Sequence, residues 1–450
     1  MKRLGQLLLI AILIFTVGCA PPSTDAGVAP NSANGGTTAQ GEPISTAYSL
    51  ILQHSVIPVK PPALATAGIT GLRDALVVNG VVPPSVLTPA FTDDPNLDLQ
   101  LLERSVSSSL GQYSPKLSEQ AADNAVISQM AQSVGDCHTI YFTPSQFSDQ
   151  VASIQGHTQF GGIGASLRKV QPSYPLVIWR VFAGTPAAKS GLREGDVITA
   201  VDGQSVSGET VQTVVNQIRG PIGQPVRLTI LSPGQSAPRD VLVFRAEIQP
   251  PNVEYRMLPN QVGYLQLYGF PEGVSGQVQQ ALDALNRQGA RSLIVDVRDN
   301  GGGALDSVEQ VLSTFTPRDA LLFSLYDSSG KQTDYHSTGP VHPQFPPTVV
   351  LMNDGTGSGA EIYAAVLQEQ GLARLVGTKT AGCVGTGQIF PLPGGAGLQI
   401  TVAQLRTGKG KVLNGIGVTP DVTVPMSPQD LIAGQDPQLA RALQLLQSGH

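Results

Sequence analysis

The sequence predicts an α/β multi-domain protein with a helical N-terminal region, a β-rich module and an α/β core. Three observations predict it. From Ile44 to Gln155 apolar residues recur at helical spacing, interrupted at Pro58–Pro62 and Pro83-Pro84. From His157 onward, short β-branched runs alternate with glycine turns. Further on, two apolar runs that read as buried strands end in glycine-rich turns, each followed by a helix.

A chain of 450 residues, 41% hydrophobic and 13% charged, is long enough for two or three domains with cores of their own. The net charge is −6 with no long basic run, so nucleic acid is not expected as a partner. Neither a cofactor nor a metal is expected.

The first segment reads as an address. Lys2 and Arg3 precede the apolar run Leu7–Val17, which is too short to span a membrane comfortably, and Gly18-Cys19 ends it. A small residue before a cysteine resembles a bacterial lipoprotein signal, with cleavage before Cys19 and lipid on its sulfur, although Thr16 stands where leucine is usual. The expected location is extracytoplasmic, in the cell envelope, anchored to the membrane by that lipid. Residues 20–43 are Pro-, Ser-, Thr-, Asn-, Ala- and Gly-rich and read as a flexible linker.

The helical region is assigned to 44–155. It ends in Asp136-Cys137-His138-Thr139, where a histidine leaves a helix for an extended segment. Histidine titrates near neutrality and suits general-base work, but most single histidines are surface or core groups.

The β-rich module is assigned to 156–248. It has a glycine loop, Gly162-Ile163-Gly164-Ala165, before one strand. A turn, Gly191-Leu192-Arg193-Glu194-Gly195-Asp196-Val197-Ile198, precedes another. These two stretches closely resemble a PDZ domain in the circular order of bacterial proteases. The resemblance implies that Gly162, Ile163, Gly164 and Ala165 hold a peptide carboxylate while the peptide adds a strand.

The core is assigned to 249–427. The run Ser292–Arg298 reads as a buried strand ending in Asp299-Asn300-Gly301-Gly302-Gly303 before a helix. No Lys-Ser/Thr follows the glycines, which argues against a phosphate loop. Thr348–Met352 reads as a second buried strand, followed by the glycine-rich turn that carries Ser358 into a helix. A hydroxyl there is exposed by the turn and lies beside unpaired helix N–H groups. Ser358 and Glu361 also have the spacing of a capping box, which needs no catalysis. Residues 428–450 read as a C-terminal helix, with Leu439, Ala440, Ala442, Leu443 and Leu446 on one face.

Three stretches of the core resemble the carboxyl-terminal processing (tail-specific) protease family. They are Asp296-Val-Arg298-Asp-Asn300-Gly-Gly302-Gly303, Thr356-Gly-Ser358-Gly-Ala-Glu361, and Gly415-Ile-Gly417-Val418-Thr-Pro420-Asp421. The resemblance implies a crotonase-like core and a serine endopeptidase that cuts proteins near apolar C-termini captured by the PDZ module. It implies Ser358 as nucleophile, Gly302 and Gly359 N–H groups as oxyanion donors, and Arg298 among the substrate-binding residues. The common branch of the family uses a lysine base, but Cys383 occupies that position here. Another branch uses a histidine, and His138 fits it, with Asn414 where a glutamate often completes the relay. Lys379 is the runner-up base. The same resemblance places Cys137 and Cys383 near Ser358 and implies a possible disulfide. The alternative reading is a catalytically inactive scaffold that binds peptide C-termini.

Overall fold

A computed structural model describes residues 42–154, 160–169, 174–339 and 348–447. The proposed signal segment with Cys19, and the linker up to residue 41, lie outside the described residues.

The N-terminal region begins with four helices, α1 (Pro43–His54), α2 (Pro61–Val78), α3 (Pro95–Tyr113) and α4 (Glu119–Ser133). Proline stands in the first turn of α1, α2 and α3, where its missing N–H costs nothing. Asp94 and Ser118 cap α3 and α4 through their side chains. A short strand, β1 (Ile140–Phe142), and helix α5 (Pro144–Ile154) follow.

The region does not bury its apolar faces by itself. Ile51, Leu72, Val126 and Met130 share one cluster with Leu398 and Ile400 of the core. Strand β1 also joins a core sheet, so the region is not wholly helical, and it delivers the segment around His138 directly to the core.

The PDZ module comprises β2 (Phe160–Gly162), β3 (Ala165–Arg168), β4 (Leu176–Val181), α6 (Pro186–Lys189), β5 (Val197–Val201), β6 (Gln204–Ser205), α7 (Val211–Ile218), β7 (Pro225–Leu231), β8 (Arg239–Phe244) and β9 (Ala246–Ile248). Its main sheet runs β3-β4-β5-β7-β8, with β6 on β5. Pairing of β2 with β9 draws the two ends of the module together.

The core adds β10 (Val253–Leu258), β11 (Val262–Leu267), α8 (Val274–Arg287), β12 (Ser292–Asp296), α9 (Leu305–Phe315), β13 (Leu321–Asp327), β14 (Gln332–His336), β15 (Thr348–Met352), α10 (Gly359–Glu369), β16 (Arg374–Gly377), β17 (Thr386–Pro391), β18 (Gly397–Thr407), β19 (Val422–Thr423), α11 (Pro428–Ile432) and α12 (Pro437–Gln447). Strands β10-β11-β12-β15-β16-β19 make one sheet, parallel from β11 onward. Every residue of β12 and β15 is buried, because helices cover both faces. Side chains alternate between those faces. Leu293, Val295, Val350 and Met352 pack with α8, α9 and α10, whereas Ile294, Val349 and Leu351 pack with α12. A second, antiparallel sheet, β1-β18-β13-β14 with β17 on β18, was not evident from the sequence pattern.

The face of α12 differs from expectation in one respect. Ala440 is exposed, and Leu445 is buried in its place. The helix turns about 100° per residue, which carries position 440 off the stripe defined by 439, 442 and 446.

Candidate active site

Strands β12 and β15 are parallel neighbours, so the two glycine-rich turns that follow them emerge side by side. They are bonded into one unit. Asp299 N–H donates to Asn353 Oδ1 and Asn353 Nδ2 donates to Asp299 Oδ1, both at 3.0 Å. Thr356 Oγ1 donates to Val297 O, and Gly357 N–H to Asn300 O.

Ser358 closes the second turn at φ 49°, ψ −119°. A non-glycine residue with positive φ carries strain that only a well-braced surrounding maintains. The bracing is visible. Ser358 N–H is shared between Cys383 O at 2.9 Å and Glu361 Oε2 at 3.1 Å. The residue is 2% exposed.

Glu361 is therefore more than a helix cap. It is fully buried, and besides Ser358 N–H it accepts Gly382 N–H at 2.8 Å, Cys383 N–H at 2.9 Å and the Thr380 hydroxyl. Burial holds its pKa above the ordinary carboxylate value, and these donors oppose the rise without cancelling it. The signal in the sequence is an acid inside the otherwise apolar run Ala360–Leu367, at the spacing that a capping box also explains.

Gly302 and Gly359 lie against each other. A Cβ on Gly302 would stand 2.5 Å from Gly359 N and 2.8 Å from Ser358 Cβ, and φ is 99°, so only glycine fits there. Gly359 opens α10, so its N–H has no acceptor within the helix. The Gly302 N–H is different. It donates to Asn300 Oδ1 at 2.8 Å, so in this conformation it is not an open oxyanion donor.

His138 is 1% exposed, and burial pushes its pKa down to about 4, with the Asp136 charge opposing. Asp136 Oδ1 and Oδ2 accept Thr139 N–H and Thr139 Oγ1, and Gln399 Nε2 donates to His138 O. Cys137 and Cys383 form a disulfide. The His138 ring stands against it, with Nδ1 3.3 Å from Cys137 Sγ and 3.8 Å from Cys383 Sγ. His138 and Ser358 are not hydrogen-bonded to each other in this structure.

Three of the sequence-predicted residues hold other surroundings in this structure. Asn414 does not orient His138: its Oδ1 accepts the Val384 N–H at 3.2 Å and so fixes the loop beside Cys383. Lys379 is exposed, because the buried inward position next to it belongs to Thr380. Arg298 is occupied by partners within the fold. It is 3% exposed, and its guanidinium donates to Asp296, Asp436 and Gln438, tying the end of β12 to the start of α12.

In the PDZ module, β3 is the edge of its sheet, with α7 packed alongside. Ile163 O accepts Ala187 N–H, and Gly164 O accepts Phe182 N–H and the Thr185 hydroxyl. Each peptide is trans, so the N–H groups of Gly164 and Ala165 face the opposite way. Gly164 has φ 77°, and a Cβ there would lie 2.3 Å from Thr185 Cβ. At the far end of β3, Arg168 pairs with Asp299 at 3.3 Å and Asp354 at 3.2 Å, one residue from each glycine-rich turn.

A buried serine on a strained strand-to-helix turn, facing helix N–H groups and joined to a PDZ module, defines a PDZ-bearing serine hydrolase. The comparisons with known proteins are specific. Residues 261–424 match the model of peptidase family S41, and residues 152–231 match that of the PDZ domain. A carboxy-terminal-processing protease of Bartonella bacilliformis is 31% identical, the alignment covering 68% of this chain and 70% of that protein. A carboxyl-terminal-processing protease of Synechocystis sp. is 30% identical over 72% of this chain and 76% of that one. The fold resembles the structure of a photosystem II D1 C-terminal processing protease, with a TM-score of 0.50 and 24% identity over 82% of this chain and 96% of that one. The chain belongs to the carboxyl-terminal processing protease family and is a serine-type peptidase with a PDZ domain.

Proposed function

We propose that the chain is an exported endopeptidase that cuts proteins near apolar C-termini, with Ser358 as nucleophile and His138 as general base. The observation that carries the proposal is Ser358 held at positive φ against Gly302 and Gly359, at the mouth of two locked turns. His138 is neutral at physiological pH and so has a lone pair to accept a proton. It takes the Ser358 Oγ proton as Oγ attacks the peptide carbonyl, then gives it to the leaving amine. Water hydrolyses the acyl-enzyme by the same route. The Ser358–His138 hydrogen bond forms as substrate closes the site. Gly359 N–H meets the developing oxyanion, a donor typically contributing about 3 to 4 kcal/mol. Gly302 joins it once its N–H leaves Asn300.

The substrate tail adds to the β3 edge, its carboxylate on the Gly164 and Ala165 N–H groups. Lys2, Arg3 and the apolar run before Cys19 support export and a lipid anchor on that cysteine. The Cys137–Cys383 disulfide fits an oxidising compartment.

The test is cleavage of an unfolded protein, with and without an apolar C-terminal tail, by wild type, Ser358→Ala and His138→Ala. Loss in both variants and faster cleavage of the tailed substrate are expected. Cleavage that persists in Ser358→Ala sinks the mechanism.

A further inference from the structure

We propose that, once its disulfide is reduced, the Cys137–His138–Cys383 cluster binds one zinc-like divalent cation. The two sulfurs and one imidazole nitrogen all lie within 4.8 Å of one another. His138 Nδ1 stands 3.3 Å from Cys137 Sγ and 3.8 Å from Cys383 Sγ. Tetrahedral zinc, with Zn–S of about 2.3 Å and Zn–N of about 2.0 Å, holds its sulfur and nitrogen ligands about 3.6 Å apart. The observed distances bracket that separation, and the Cα atoms of the two cysteines are 5.9 Å apart.

The donor set is also appropriate. Two thiolates and an imidazole suit zinc and cobalt(II), and three protein ligands leave a fourth position open. Two thiolates cancel the charge of a divalent ion, which suits a cluster whose histidine is 1% exposed. The ligand backbones are already fixed. Glu361 Oε2 accepts Cys383 N–H, Gln399 Nε2 donates to His138 O, and the Asp136 carboxylate binds the next residue, Thr139. Such outer contacts orient ligands for a metal.

In the disulfide form the sulfurs are bonded to each other and offer no thiolate, so redox state gates the site. A dithiol reductant supplies two electrons to the S–S bond. The bond breaks, each sulfur takes a proton, and the reductant becomes a disulfide. A divalent cation then displaces the two thiol protons and takes Cys137 Sγ, Cys383 Sγ and His138 Nδ1.

Metal on Nδ1 leaves the imidazole's single proton on Nε2. No lone pair then remains to accept the Ser358 proton, and the peptidase is switched off. This consequence rests on His138 being the base; the site itself does not.

The test titrates the full chain with Co²⁺, oxidised and after treatment with a phosphine reductant, which adds no competing thiol. The reduced chain should bind one Co²⁺ with thiolate-to-cobalt absorption in the near ultraviolet. The oxidised chain, and the reduced chain alkylated at both cysteines, should not. Reduced His138→Ala should bind roughly 10-fold more weakly or worse. Zn²⁺ should abolish cleavage by the reduced chain, and a chelator should restore it. Binding that is absent, insensitive to redox state or unaffected by alkylation overturns the site. So does a chain that unfolds on reduction, seen by circular dichroism, and is not refolded by Co²⁺. Stoichiometric cobalt binding with unchanged cleavage upholds the site and overturns His138 as base.

Discussion

Cys383 Sγ lies 3.8 Å from His138 Nδ1, while the carbonyl of the same Cys383 accepts the Ser358 N–H at 2.9 Å. One residue thus touches the proposed base through its side chain and the proposed nucleophile through its backbone. It also forms a covalent tie to Cys137, next to His138.

The identity of the base can be read from variants. Ser358→Ala and His138→Ala are each expected to lower kcat/KM by roughly 10³-fold or more. Lys379→Ala should leave it within about twofold, because Lys379 is exposed and its neighbour Thr380 fills the inward position. Steady-state cleavage kinetics check this, and a deep loss in Lys379→Ala would reinstate the lysine.

His138 also sets a pH dependence. Its folded pKa, about 4, lies below the ordinary 6.5, so the unfolded chain binds the proton more readily. The associated stability is fully present above pH 6.5 and is lost as pH falls toward 4. The loss amounts to about 3 kcal/mol. Urea unfolding of wild type and His138→Gln from pH 7 to 4 should show the wild type losing that increment and the variant not. The acid limb of kcat/KM should fall near pH 4, since that profile reports the free enzyme.

Glu361→Ala would leave the N–H groups of Gly382 and Cys383 without their carboxylate acceptor and remove half of the Ser358 anchor. Buried unsatisfied donors cost about 1–3 kcal/mol each, so a loss of about 3 kcal/mol or more is expected. In Glu361→Gln, which keeps the volume, kcat should fall more than KM rises. Thermal melts and kinetics together check both statements, and an unchanged kcat would reduce Glu361 to a helix cap.

Arg298→Ala should act on stability. It strands Asp296, 1% exposed, beside Asp436, with an expected cost of about 3–5 kcal/mol. At a temperature where the variant is folded, KM should be near that of wild type. A raised KM in a fully folded variant would return Arg298 to the substrate site.

Much of this arrangement was legible in the sequence, and the reasons are local. Ser358 and the Gly302 turn declare themselves because a strand period, a glycine run and a helix period adjoin in a few residues. The Gly164 loop is legible because positive φ demands glycine. What escaped depends on long-range pairing. Strand β1 meets β18 across more than 250 positions, and that pairing places His138. Asn414 and Lys379 have types suited to catalysis and Arg298 a type suited to binding substrate, yet Val384 N–H, solvent and Asp436 claim them. Which partner claims a polar side chain is decided by packing, to which residue type is blind.

The most direct measurement is covalent labelling of the oxidised full chain with a fluorophosphonate, the modified residue located by mass spectrometry. The account predicts modification at Ser358 alone, absent in Ser358→Ala and slowed roughly 10³-fold in His138→Ala. Labelling of another residue, or an unchanged rate in His138→Ala, would contradict it.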